Sequence, residues 1–153
     1  MRINEIVTAI DYLFKAKITP MLVGHSGKGK TTVVEQYGLD HGYDVIHYRL
    51  GEINDVGDLI GLPSFKKDEN GVERTTFAAP LQIPIEGYVD RPVIIFLDEV
   101  NRTHKDLINA VFSLAEKGEY LGPHKLDSRT RIVAACNPPG DEYTVMDFKD
   151  KAF

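Results

Sequence analysis

The chain has 153 residues, a formal net charge of −5 and 42% apolar residues, which is long enough for one domain with its own core and ordinary in composition for a soluble globular protein. The acidic balance gives no general pull toward nucleic acid or an anionic bilayer, although a local basic patch stays open. The single cysteine, Cys136, excludes an internal disulfide and fits a reducing compartment.

The N-terminal "MRINEIVTAIDYLFKAK" lacks the apolar core and small-residue cleavage site of a signal peptide, and no apolar run is long enough to span a bilayer. The expected location is cytoplasmic, with no membrane partner. Within that stretch Ile3, Ile6, Val7, Ile10, Leu13 and Phe14 recur at helical spacing, so residues 3–16 are predicted as an amphipathic helix. Its polar face is mixed rather than basic, which favours a core-packing role over a membrane or partner helix.

Pro20 opens a short apolar strand, Met21 to Val23, followed by a glycine-rich loop and a predicted helix from Thr31 to about Asp40. "YDVIHYRL" reads as a second strand. "PVIIFLDE", residues 92–99, is the clearest strand. Its apolar run does not alternate, the pattern of a parallel strand covered on both faces. "HKDLINAVFSLAEKG" has helical periodicity with Gly118 as its stop, and "RIVAACN", residues 131–137, is another buried strand. Strands alternating with helices predict right-handed βαβ units and a parallel sheet with helices on both faces. Two stretches interrupt the alternation. "SFKKDENGVERTTF" carries Asn70-Gly71, which predicts a hairpin with a type I′ turn, and "GEYLGPHKLDSRT" reads as a second hairpin before the last strand.

The loop Gly24-His25-Ser26-Gly27-Lys28-Gly29-Lys30-Thr31 fits G-x-x-x-x-G-K-[ST]. Glycines there let successive backbone N–H groups turn inward toward phosphate oxygens, and the following helix presents its electropositive N-terminus to the same anion. At ordinary glycine usage the pattern arises by accident in roughly one chain in several hundred of this length. The preceding strand and following helix sharpen it against a merely glycine-rich turn. Residues 24–31 with Thr32 are therefore the expected nucleotide-binding segment. Lys30 can reach the β- and γ-phosphates and the Thr31 hydroxyl can ligate Mg²⁺, while the side chains of His25 and Lys28 are given no catalytic part.

Asp98 falls at the C-terminal end of a buried strand, the edge at which parallel α/β sheets bind ligands. There it can hold Mg²⁺ through water opposite Thr31. Glu99 follows, pointing elsewhere, and can accept a proton from water attacking the γ-phosphate. Two acids after a strand also serve as a helix cap, but the upstream loop favours the catalytic pairing. Asn137 ends the next apolar strand, where its amide can orient the attacking water and sense the γ-phosphate; taken alone, Asn-Pro is a turn signal. Cys136 reads as a small buried residue, and the histidines are not at zinc-ligand spacing.

Together these residues resemble the AAA+ ATPases, and more narrowly the MoxR-like group, over about residues 18–153. "GHSGKGKT" looks like Walker A, "VIIFLDE" like Walker B and "AACNPPG" like the sensor-1 strand and loop. "DVGDLIGLP" with "FAAPLQIPI", and "NRTHKDLINAVFSLAEKGEY", carry the narrower assignment. The resemblance implies a P-loop NTPase of three αβα layers. Its strand order would be 5-1-4-3-2 with strand 5 missing, and two hairpins would be inserted in the core. The expected division is an N-terminal amphipathic helix over residues 1–17 and a partial nucleotide-binding core over 18–153, with the C-terminal lid expected to be absent. It further implies ATP and Mg²⁺ as ligands and a ring, usually a hexamer, that remodels a protein client. A partner with a von Willebrand factor A domain often accompanies this group.

"DEYTVMDFKDKAF" looks like the run toward a helix bearing an arginine finger, and the chain stops short of it. A fragment or shortened product is expected, with the P-loop strand at an open edge. Arg102, Arg129 and Arg131 are not promoted to a finger. Two other functions compete. One is a nucleic-acid motor of the McrB-like type, against which the acidic balance weighs but which Lys66, Lys67 and Arg74 on the predicted hairpin leave open. The other is a P-loop phosphotransferase, against which Glu99 beside Asp98 points to water as acceptor. A GTPase is disfavoured because no Asn-Lys-x-Asp segment is present.

Overall fold

In the computed structural model, which describes residues 2–138, the elements run α1 (Ile3–Lys15), β1 (Met21–Val23), α2 (Lys30–His41), β2 (Asp44–Arg49), α3 (Val56–Ile60), β3 (Leu62–Lys67), β4 (Glu73–Ala78), β5 (Val93–Asp98), α4 (Lys105–Lys117), β6 (Tyr120–Leu121), β7 (His124–Lys125) and β8 (Arg131–Cys136). Strands β1, β8, β5 and β2 lie side by side in that order, all parallel. This is the expected 1-4-3-2 part of the sheet. Among the described residues β1 pairs only with β8, so its other edge carries no strand. The expectation for residues 141–153 lies outside the described residues.

The unbroken apolar run of β5 has the reason given by its pattern. Ile94 and Phe96 face one side and Val93, Ile95 and Leu97 the other, and all are at most 5% exposed. On the first side they pack with Ile10 and Phe14 of α1, Val34 and Tyr37 of α2, and Val133 and Ala135 of β8. On the second they pack with Leu59 of α3, with Leu107, Val111 and Leu114 of α4, and with Ile132 and Ala134 of β8. The result is helices on both faces of a parallel sheet. Each fully buried large side chain contributes roughly 1.5–3 kcal/mol relative to exposure.

Local signals set the ends of the helices. Glu5 Oε2 accepts from the backbone N–H of Arg2 at 2.8 Å, closing the start of α1. Helices α2 and α4 stop at Gly42 and Gly118, both with positive φ. Gly38 sits inside α2, where a glycine ordinarily costs about 1 kcal/mol. A Cβ there would overlap the Val45 side chain of β2, so the glycine lets helix and sheet approach.

Both predicted hairpins form, β3 with β4 and β6 with β7, each antiparallel. The turn of the first is not type I′. Only Gly71 there has positive φ, and the Gly71 N–H donates to the Asp68 carbonyl at 2.9 Å. The Asp68 carboxylate takes the N–H groups of Asn70 and Val72, both at 3.0 Å, which holds Asn70 out of the left-handed region. The second hairpin is tied to α3 by a 2.8 Å contact between His124 Nε2 and the Ile60 carbonyl.

Candidate nucleotide-binding site

Three strand ends build the site. The backbone leaves β1 at Val23, and Gly24 N–H still donates to the Cys136 carbonyl at 3.2 Å, so the loop starts in register with β8. Gly27 and Gly29 have φ of 71° and 81°, the left-handed values the loop pattern requires of glycine. Helix α2 opens at Lys30, so the first N–H groups of the helix have no acceptor within it and stay available to an anion.

Ser26 through Thr32 line a cavity of about 260 Å³, closed on the far side by Asp98, Glu99 and Asn137. Of the candidate residues only Gly24 and His25 do not line it. Their carbonyls accept from Lys30 Nζ instead, at 3.1 Å for His25. The same ammonium donates to Asn137 Oδ1 at 2.8 Å. Asp98 ends β5, and its Oδ2 accepts from Thr31 Oγ1 at 3.4 Å while its Oδ1 accepts from the Glu99 N–H at 2.9 Å. A hydroxyl and a carboxylate offering oxygen to one point suit Mg²⁺, which takes few protein ligands and completes its shell with phosphate and water. The donor set therefore fits the ion.

Glu99 has φ 56° and ψ 42°, a conformation that costs a non-glycine residue of order 1–3 kcal/mol. Its carboxylate has partners of its own, distinct from those of Asp98. Glu99 Oε1 accepts from Arg102 Nη1 at 2.7 Å, and Oε2 lies against Gly51, just beyond β2. Cys136, one residue before Asn137, is 7% exposed, and burial pushes its thiol pKa up, partly opposed by the charge of Lys30.

Three neighbours of the site carried no assigned role in the sequence. Asn101, 1% exposed, donates through Nδ2 to the Asn137 carbonyl at 2.9 Å and so fixes the end of β8. Arg102 holds Glu99. His47 places Nε2 3.3 Å from Asp98 Oδ2. Asn101 and Arg102 sit in the "NR" segment already singled out by resemblance. His47 gives only a weak local signal, a ring in a β-favouring run. A second cavity, about 230 Å³, lies at the opposite end of the sheet, but Lys17 and Arg131 there are mixed with Glu116 and Asp127, giving no focus for an anion.

The sequence profile of the AAA domain family, dynein-related subfamily, matches residues 20–150. The chain belongs to this family. BssE of Thauera aromatica, named as a candidate chaperone, is 25% identical to this AAA domain over 144 residues, which cover 90% of the chain and 48% of BssE. The chain thus spans about half the length of that relative. Among solved structures, a candidate ATPase from Cytophaga hutchinsonii superposes with a TM-score of 0.56 at 17% identity, covering 93% of the chain and 40% of its own length. NtrX from Brucella abortus superposes with a TM-score of 0.52 at 14% identity, covering 88% and 30%. At these identities the two structures show a shared fold. No helix among the described residues of the AAA domain is long and apolar enough to cross a membrane.

Proposed function

We propose that this AAA domain binds ATP with Mg²⁺ and hydrolyses it to remodel a protein client, as a MoxR-like member of its family. The observation that carries this is the convergence of Lys30 and Thr31, Asp98 and Glu99, and Asn137 from three separate strand ends on one cavity. Lys30 neutralises phosphate oxygens, and to do so it exchanges the Asn137 amide for the ligand. The freed amide then orients the attacking water. Glu99 accepts that water's proton, and its separation from Asp98 leaves the two carboxylates to different tasks. Thr31 and Asp98 would hold Mg²⁺, which when bound would supply neutralisation of phosphate charge.

The hairpins β3–β4 and β6–β7 fall where the MoxR-like resemblance expects its two insertions, which supports that narrower assignment. A hexameric ring, a partner with a von Willebrand factor A domain and a cytoplasmic location belong to the same proposal. The name of BssE favours a protein client. A nucleic-acid client gains little from the first hairpin, because Arg74 is paired to Asp68 at 2.8 Å and Glu69 and Glu73 stand beside Lys66 and Lys67.

The test is calorimetric titration of the purified chain with ATP and MgCl₂, followed by phosphate release. Saturable binding that Lys30→Ala weakens about 10-fold or more supports the proposal. Binding that survives Lys30→Ala unchanged overturns it, and a phosphorylated small-molecule acceptor in place of free phosphate shifts the assignment to a phosphotransferase.

A further inference from the structure

His47 lies on β2 opposite Phe96 of β5 in the parallel register, and Arg49, two residues on, lies opposite Asp98. Alternation puts His47 on the sheet face of Phe96, with ring centroids 4.8 Å apart. From there its Nε2 reaches across to Asp98 Oδ2 at 3.3 Å. This is the same oxygen that Thr31 Oγ1 approaches at 3.4 Å. A carboxylate only accepts hydrogen bonds, so Nε2 carries the proton and donates.

Each Asp98 oxygen therefore has a protein donor, the Glu99 N–H on Oδ1 and the imidazole on Oδ2. Remove the imidazole and Oδ2 keeps only the 3.4 Å contact with the Thr31 hydroxyl, a group that itself turns to the ion in this assignment, so the carboxylate plane is held chiefly by the Glu99 N–H on Oδ1. A carboxylate oxygen has more than one acceptor direction, so the His47 bond leaves room on Oδ2 for a further ligand. The side chains of His47 and Asp98 are only 21% and 16% exposed, so water competes weakly for this contact.

Resting on the nucleotide assignment above, we propose that His47 is a positioning residue that orients the Asp98 carboxylate to receive Mg²⁺ beside Thr31. The competing role is packing on Phe96 alone. Two variants separate them. His47→Phe keeps an aromatic ring on Phe96 and loses the donor. His47→Gln loses the ring and restores an N–H donor.

The experiment is equilibrium binding of a fluorescent ATP analogue to the full chain, titrated with MgCl₂ and, in parallel, measured in EDTA. For wild type, Mg²⁺ tightens binding. For His47→Phe the half-saturating Mg²⁺ concentration rises on the order of 10-fold, as for lost hydrogen bonds to metal ligands elsewhere. Affinity in EDTA stays at the wild-type value, and His47→Gln returns most of the Mg²⁺ response. A wild-type Mg²⁺ titration in His47→Phe overturns the proposal, as does a His47→Gln variant no better than His47→Phe. If wild type itself fails to bind the analogue, or binds it with no Mg²⁺ dependence, the nucleotide assignment falls first and the role of His47 falls with it.

Discussion

Lys30 and Asn137 stand 107 residues apart in the chain, yet the ammonium of one donates to the side-chain oxygen of the other at 2.8 Å. The pair links the start of α2 to the end of β8 across the candidate nucleotide cavity. Lys30→Ala removes a charged donor and is expected to weaken ATP binding by about 1.5–3 kcal/mol, roughly 10- to 100-fold in Kd. Asn137→Ala leaves Lys30 its two carbonyl partners and is expected to retain ATP affinity while lowering phosphate release. Calorimetry and a phosphate assay on both variants check this, and equal losses of affinity would remove the distinction between them.

Glu99 is expected to act in the chemical step and not in binding. Glu99→Gln retains an oxygen to accept from Arg102, so the thermal midpoint should stay near wild type. Hydrolysis should fall on the order of 10²- to 10⁴-fold, the usual contribution of a positioned base. Single-turnover assays with preloaded ATP measure this directly. Wild-type turnover in the Gln variant would exclude Glu99 as the base.

Gly61 joins α3 to β3 with φ 91° and ψ 175°, and a Cβ there would overlap the Ala78 carbonyl oxygen. Gly61→Ala should cost at least the 1–3 kcal/mol of a strained backbone, with steric overlap added. Gly71, at the hairpin turn with φ 77°, has open space around its Cβ position, so Gly71→Ala should cost less, about 1–2 kcal/mol. Urea midpoints compare the two. The order would reverse only if the root of the first hairpin were not held as described.

The Cys136 thiol has its pKa raised by burial, so in the folded chain it stays protonated where an unfolded thiol ionises. The resulting stability is fully present below the unfolded thiol value, about 8.5, and is lost as pH rises from there through the folded value. Urea midpoints at pH 7 and pH 9.5 should therefore fall further for wild type than for Cys136→Ala. The variant comparison cancels the other groups that titrate in this range. Alkylation of native Cys136 should also be slow until denaturant is added.

Much of this protein could be read directly from its residues. The spacing of Leu107, Val111 and Leu114 marks a helix, and the unbroken run Val93–Leu97 marks a strand covered on both faces, because these are local periodicities that only need a core to satisfy. Gly27 and Gly29 announce left-handed backbone because other residues adopt it at a cost. The turn at Asn70-Gly71 departs from the type I′ expectation for an equally local reason. A neighbouring carboxylate, Asp68, captured the backbone N–H groups that the dipeptide preference leaves out of account.

What the residues in order could not show is who meets whom. His47 comes to Asp98 because β2 lies beside β5 in one register, and a shift of one residue would send its ring to the other face. Lys30 meets Asn137 because β8 is inserted between β1 and β5. Arg102 reaches Glu99 through the left-handed backbone of Glu99 itself. The first two pairings span 51 and 107 residues and arise from packing that no local preference of either residue encodes, whereas the third joins residues three apart and turns on a backbone conformation that glutamate seldom adopts.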